Sequence, residues 1–373
     1  MPKINPEVEA FARIKVIGVG GSGKNATNYM IDSKVGRVEF IVMNTDAQDL
    51  HHSSAGKKIH IGKNLTRGLG TGMNADLGRR AAEETKEEIQ DSIKGADMVF
   101  ITGGLGGGTG TGASPIIAKI AKELGILTVA VVTKPFSFEG SQRARLSETG
   151  LVELQNEVDA VIIIPNDRIL KVAPKGMTLD NAFSMSDEIL KQAVEGISDL
   201  ITSPGRINVD FADISTIMEK SGSALMGIGK ATGEKRAEEA ARQAISSPLL
   251  DVSINGAKGV LFTIAGGDDL TMDEIQTAAN IITESIDPEA KVKFGTVKDT
   301  KLKKNEIKIT VIATGFGNPE IDSEQQKEDS EKNKIQNSIP TKRPEPKKQE
   351  PTNSMDNDDD DSWDAIPSFL RRR

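Results

Sequence analysis

The chain reads as an α/β protein: a doubly wound, mostly parallel sheet, a long central helix, a second smaller α/β domain and a disordered tail. Three observations predict it. Short β-branched runs, IKVIGV, VEFIVM, DMVFIT, ILTVAVV and AVIIIP, alternate with amphipathic stretches from residue 12 to about residue 200. One apolar stripe runs through residues 179–201. Beyond Gly317 the apolar residues give way to Gln, Lys, Glu, Asn and Pro.

The runs are almost continuously apolar, which suits strands buried on both faces. Helical patterns lie between them, as over residues 73–93 and 114–124, so helices cover both sides of a parallel sheet and ligands bind at the carboxyl ends of its strands. The stripe places Leu179, Ala182, Phe183, Leu190, Ala193, Val194, Ile197, Leu200 and Ile201 on one helical face. It stops at Ser203-Pro204-Gly205. A strand near ALMGIG, a helix over 234–245, strand GVLFTIA, a helix over 272–285 and strands KVKFGTV and EIKITVIAT then form the smaller domain. The expected units are a ligand-binding domain over 1–178, the central helix over 179–202 and a C-terminal α/β domain over 203–317. A disordered acidic linker over 318–361 follows, because its composition buries too little to offset ordering entropy. Trp363, Ile366, Pro367, Phe369 and Leu370 reappear at 362–373 as an apolar cluster on a flexible tether, the pattern of a docking peptide.

Composition excludes several functions. A formal charge of −8 and 3% aromatic residues oppose a nucleic-acid groove, which needs a basic field and stacking platforms. Without cysteine there is no disulfide, thiolate nucleophile or cysteine metal site. The opening MPKINPEVEAFARI carries prolines and charges where an export signal needs an apolar run. Residues 116–132 would mimic a membrane span but for Lys119, Lys122, Glu123 and Gly125, so no direct membrane insertion is expected. His51, His52 and His60 are expected at the surface, not on a metal.

The stretch GVGGSGKNA, residues 18–26, fits G-x-x-x-x-G-K but puts Asn25 where a phosphate loop of that type needs a magnesium-binding hydroxyl. It also fits the dinucleotide fingerprint, with Asp46 as a ribose acid or as a turn residue closing FIVMNT. More specific is GGLGGGTGTG, residues 103–112, between strand DMVFIT and a helix predicted to open at Ser114-Pro115. Without Cβ atoms its backbone can approach a ligand and turn successive N–H groups toward it, with a helix dipole behind: a phosphate cradle. A third glycine loop, TRGLGTG at residues 66–72, converges on the same edge.

GGGTGTG resembles the signature loop of the tubulin family. From residue 12 to about 317 the chain resembles the FtsZ family, the tubulin-like GTPases of bacterial cell division, and its last residues resemble that family's docking peptide. The resemblance implies GTP and GDP as substrate and product, with Mg2+ on the phosphates. Gly20, Gly21, Ser22, Gly23, Lys24, Asn25, Gly107, Gly108, Thr109 and Gly110 would hold the nucleotide, with Gly72 near the γ-phosphate. Glu139 and Arg143 would lie near the ribose and phosphates, where without the resemblance an ordinary charged helix start is the preferred reading. Asn166, Phe183 and Asp187 would surround the base. An aspartate can accept from both the ring N–H and the exocyclic amine of guanine, a donor pair adenine lacks. Phe183 could stack on the ring, while its place on the stripe points to the core.

Asn208, Asp210 and Asp213, in NVDFAD, are first-turn acids and their neighbour on a bare reading. By the resemblance they belong to the next subunit of a head-to-tail filament and orient the water that attacks its neighbour's GTP. A cytoplasmic ring at mid-cell, and membrane-anchor and regulatory division proteins binding 362–373, are implied likewise. Ser22 and Lys24 stand where the family has small residues, and GTGMNAD, with Thr71 and Met73, replaces its common GAGANPE. These departures bear on turnover and keep open a GTP-binding scaffold that hydrolyses little. A nicotinamide-dependent dehydrogenase using the first loop is the other alternative.

Overall fold

In a computed structural model of the chain, residues 12–172, 176–202, 207, 209–247, 254–267, 269–299 and 302–316 are described. Asn208, the linker over 318–361 and the peptide over 362–373 with Trp363, Ile366, Pro367, Phe369 and Leu370 lie outside the described residues.

Strand and helix alternate through the first part of the chain. The elements are β1 (Ile14–Val19), α1 (Gly20–Asp32), β2 (Val38–Asn44), α2 (Ala47–His51), β3 (Lys57–His60), α3 (Lys63–Thr66), α4 (Ala75–Glu84) and α5 (Lys86–Ile93). They continue as β4 (Met98–Gly104), α6 (Thr109–Glu123), β5 (Leu127–Lys134), α7 (Ser141–Glu157), β6 (Ala160–Pro165) and α8 (Asn166–Val172). The long helix α9 (Leu179–Thr202) leads to α10 (Phe211–Met218) and β7 (Gly222–Thr232). Then come α11 (Arg236–Ile245), β8 (Gly259–Gly266), α12 (Met272–Thr283), β9 (Lys291–Lys298) and β10 (Glu306–Thr314).

Among the described residues all the strands join one sheet, in the order β3-β2-β1-β4-β5-β6-β7-β10-β8-β9. From β3 to β7 every pairing is parallel; β10 runs antiparallel to both neighbours, and β8 and β9 are parallel to each other. The short pairing Ala160↔Gly222 to Ile162↔Ala224 carries the sheet across the domain boundary read from the sequence. Alternation along β1 shows why its run is wholly apolar. Ile14 and Val16 pack under α1 and α9, whereas Ile17 and Val19 join the core beneath α4, α5 and α6. A further core around Phe262, Ile264, Ala240 and Ile282 lies under α11 and α12.

Some helix boundaries differ from expectation. The pattern over 73–93 is broken at Thr85 into α4 and α5. The helix expected from Ser114 starts at Thr109, with Pro115 inside it. Its early glycines are the reason, because they let α6 press against α4: a Cβ on Gly112 would collide with the Ala75 carbonyl, and one on Gly78 with the Gly108 carbonyl. Gly112→Ala is therefore expected to destabilise the protein by about 2–3 kcal/mol through overpacking, read as a lower denaturant midpoint with unchanged slope.

On α9 the stripe is buried at Ala182, Leu190, Ala193, Val194, Ile197 and Leu200, but Leu179 is 58% and Phe183 40% exposed. The first turns of α9 stand beside a cleft instead of on the sheet.

Candidate functional site

The order of β2-β1-β4 reverses direction at β1, so α1 and α6 leave adjacent parallel strands on the same edge. Such a switch point leaves a crevice at the strand ends. Here it is a cleft of about 290 Å³ facing the N-termini of both helices. Gly20 takes φ 71°, turning the chain from β1 straight into α1, and a Cβ there would stand 3.1 Å from the Gly110 nitrogen. Backbone N–H groups and two positive dipole ends thus share one concavity, the requirement for binding a phosphate chain.

Of the residues selected from the sequence, Gly20, Gly21, Ser22, Gly107, Gly108, Thr109, Gly110, Glu139, Arg143, Asn166, Phe183 and Asp187 line this cleft. Gly23, Lys24, Asn25 and Gly72 are not on its wall. Gly23 is needed for packing, since a Cβ there would lie 2.6 Å from the Thr102 carbonyl. The Lys24 ammonium is held 2.5 Å from Asp49 Oδ1, whose other oxygen accepts from Asn44 Nδ2 at 2.8 Å. Asn25 is exposed. Asp46 caps α2, its Oδ1 accepting from the Asp49 N–H at 2.9 Å, which is the turn role and not the ribose one.

Sequence reasoning missed Thr133, Ser186 and Pro135 as wall residues. Thr133 sits at the carboxyl end of β5, where the strand-end rule could have found it. The third glycine loop reaches the cleft through Thr71, whose Oγ1 lies 3.3 Å from Thr109 Oγ1; Thr109 in turn meets Thr45 Oγ1 at 2.7 Å. Met73, on the same loop, takes φ 67°, a left-handed conformation costly for a bulky side chain.

The far wall is aromatic and acidic. Phe183 meets the buried Phe136 edge to face at 5.3 Å, leaving part of its ring open to the cleft. Asn166 Oδ1 accepts from Ser186 Oγ at 3.1 Å, which fixes the asparagine at the start of α8. Glu139 and Arg143 pair at 2.6 Å, and Glu139 also accepts from the Phe136 N–H at 3.0 Å. Adjacent carboxylates on α9 differ sharply. Glu188 accepts from Tyr29 Oη at 2.9 Å and Gln192 Nε2 at 2.6 Å and pairs with Lys191 at 2.9 Å. Asp187 faces the cleft, and burial pushes its carboxyl up to about 7. It is poised to ionise against a ligand that brings its own donors.

Asp210 and Asp213 lie elsewhere. Asp210 caps α10, its Oδ1 accepting from the Asp213 N–H at 2.7 Å. Asp213 Oδ1 is 2.6 Å from Lys293 Nζ on β9, and that hydrogen bond holds the carboxyl below the usual range. Strand registers Ala160↔Gly222, Ala224↔Thr314, Thr314↔Gly259 and Gly259↔Lys291 put the start of β9 level with the start of β6. The acids therefore stand at the end of the sheet opposite the cleft.

Residues 13–174 match the Tubulin/FtsZ family, GTPase domain, and residues 222–317 the FtsZ family, C-terminal domain. The solved structure of an empty FtsZ dimer from M. jannaschii is 44% identical, covering 82% of this chain and 89% of its own, with a TM-score of 0.78. The chain belongs to the FtsZ family. It is accordingly a tubulin-like GTPase that binds GTP and GDP. More distant FtsZ-like folds include CetZ1 from Haloferax volcanii, a GDP-bound monomer, with 24% identity over 84% of this chain and 98% of that one and a TM-score of 0.71. CetZ2 from the same organism, a GTPγS-bound protofilament, has 22% identity over 87% and 99% and a TM-score of 0.70.

Within the FtsZ framework the departures become concrete. Ser22 and Thr71 add hydroxyls to the wall of the cleft, while Lys24 is taken up by Asp49. The dehydrogenase alternative falls with the family match. No described helix is long and apolar enough to cross a membrane.

Proposed function

We propose that the protein assembles head to tail with itself and hydrolyses GTP at each junction, forming the cytoskeletal filaments of a division ring. One observation carries this: the nucleotide cleft and the Asp210–Asp213 pair occupy opposite ends of one sheet. Only a second copy brings them together. A contact between unlike faces need not close, so repetition makes an open filament. The dimer solved for M. jannaschii FtsZ is in keeping with self-association.

In the cleft, Gly20, Gly21, Gly107, Gly108 and Gly110 receive the phosphates through backbone N–H groups, and Thr109 adds a hydroxyl. Arg143, steered by Glu139, lies beside them. Phe183 and Asn166 hold the base, and Asp187 reads guanine. Mg2+ bound together with the nucleotide would supply charge neutralisation to the phosphates. Asp210 and Asp213 of the next subunit orient the attacking water. With its carboxyl held below the usual range, Asp213 polarises the water and leaves its proton to the departing phosphate. Residues 362–373 tether the filament to membrane-anchor and regulatory division proteins at mid-cell in the cytoplasm.

The test is GTP turnover per molecule against protein concentration, with pelleting in parallel. Turnover is expected to be negligible when dilute and to rise steeply where polymer appears. Flat turnover per molecule would require a self-contained site, and polymer without turnover would make the protein a scaffold.

A further inference from the structure

We infer that Lys293 is a cation each subunit supplies, beside Asp210 and Asp213, to the GTP phosphates of its neighbour. This rests on the cross-subunit reading above.

The placement comes from β9, an edge strand whose residues alternate. Val292 and Phe294 turn toward the core under α12, whereas Lys291 and Lys293 face away and are exposed. Lys293 Nζ lies 2.6 Å from Asp213 Oδ1, with side-chain exposures of 45% and 30%. The hydrogen bond to Asp213, and the Asp210 carboxylate nearby, hold the ammonium above the usual lysine range. A pair this open to water does little for stability, so holding the fold is a weak reason for it. Lysines on an edge strand also discourage strand addition, and Lys291 serves that purpose without Lys293.

The chemistry needs a cation here. Two carboxylates brought against a triphosphate repel it, and every step of the transfer keeps negative charge on the phosphoryl oxygens. As water oxygen bonds to the γ-phosphorus, the bond to the β–γ bridging oxygen breaks. GDP leaves, and the inorganic phosphate carries away the water's proton. Lys293 Nζ already sits against Asp213 Oδ1, and its flexible side chain lets the ammonium turn from there toward the phosphoryl group whose water Asp213 orients. Lys293 offsets the repulsion and stabilises the transferring group, as trans-acting cations do in other phosphoryl transfers.

The experiment uses the full chain above its assembly concentration, with turnover expressed per pelleted polymer. Lys293→Met is expected to lower kcat on the order of 10–100-fold with GTP affinity and KM little changed. Lys293→Arg should restore most of the rate, and Lys291→Met should leave it alone. If Lys293→Met turns over normally while Asp213→Ala does not, the inference is wrong and the cross-subunit reading survives. If Asp213→Ala also turns over normally, both fail. Equal losses in Lys291→Met and Lys293→Met would reduce the effect to general surface charge and overturn the assignment. Should Lys293→Met not assemble alone, it is co-assembled with an equal share of the parent chain. Turnover per polymer must then fall below that of the parent; unchanged turnover counts against Lys293.

Discussion

Replacing Asp213 with alanine is expected to reduce GTP turnover on the order of 100-fold or more while leaving GTP binding intact. Binding is spared because the cleft holds no part of α10. Folding should be spared too, since Asp213 accepts its main hydrogen bond from a lysine that is itself half exposed. The stronger form of the test mixes two inactive variants. Asp213→Ala keeps an intact cleft, and Asp187→Ala keeps intact acids. Where an Asp187→Ala subunit presents its acids to GTP held by an Asp213→Ala subunit, hydrolysis should return. A mixture as inactive as its components would place both residues in one subunit's site.

Asp187→Ala itself should weaken GTP binding by roughly 100-fold or more and abolish the preference for guanine over adenine nucleotides, measured by competition. Two donors of the base would lose a charged acceptor in a half-buried place, where water replaces it poorly. The raised carboxyl adds a pH signature. In the free protein Asp187 titrates at about 7, so below that the proton must be expelled before the base can be accepted. GTP affinity is expected to be full above pH 7 and to fall about tenfold for each unit below it, with proton release on binding near neutrality. Asp187→Asn should flatten this profile. The free protein behaves oppositely. A carboxyl raised from 3.8 to about 7 stabilises the fold most below the lower value, and that contribution is lost as pH rises through 7. A GTP affinity that is indifferent to pH between 5 and 8 would separate Asp187 from the base.

Much of this protein is determined by the sequence alone. Period-two and period-3.6 patterns report local backbone directly, so β1, β2, β4, β5, β6 and the full length of α9 were legible before any contact was known. Helix ends were less legible, as the shift at α11, the break at Thr85 and above all the start of α6 at Thr109 instead of Ser114 show, because capping and packing settle them. Glycine clusters after strands likewise marked the edge where the structure has a cleft.

Tertiary structure decided what the same residue types do. Gly20 and Gly107 face the cleft, whereas Gly23 and Gly112 exist to let a helix meet a backbone, and nothing local distinguishes them. Phe183 follows the apolar stripe yet stays open to the cleft, because its neighbours there are Phe136 and the cleft wall. Lys24 and Lys293 are each one lysine among many in the chain; partners far along it, Asp49 and Asp213, pair with them, Lys24 largely buried and Lys293 still open to solvent. The raised carboxyl of Asp187, beside a fully partnered Glu188, depends on which side of α9 is buried and by what. Local pattern sets the elements, but charge and burial at a site are sums over groups that only the assembled sheet brings within a few ångströms.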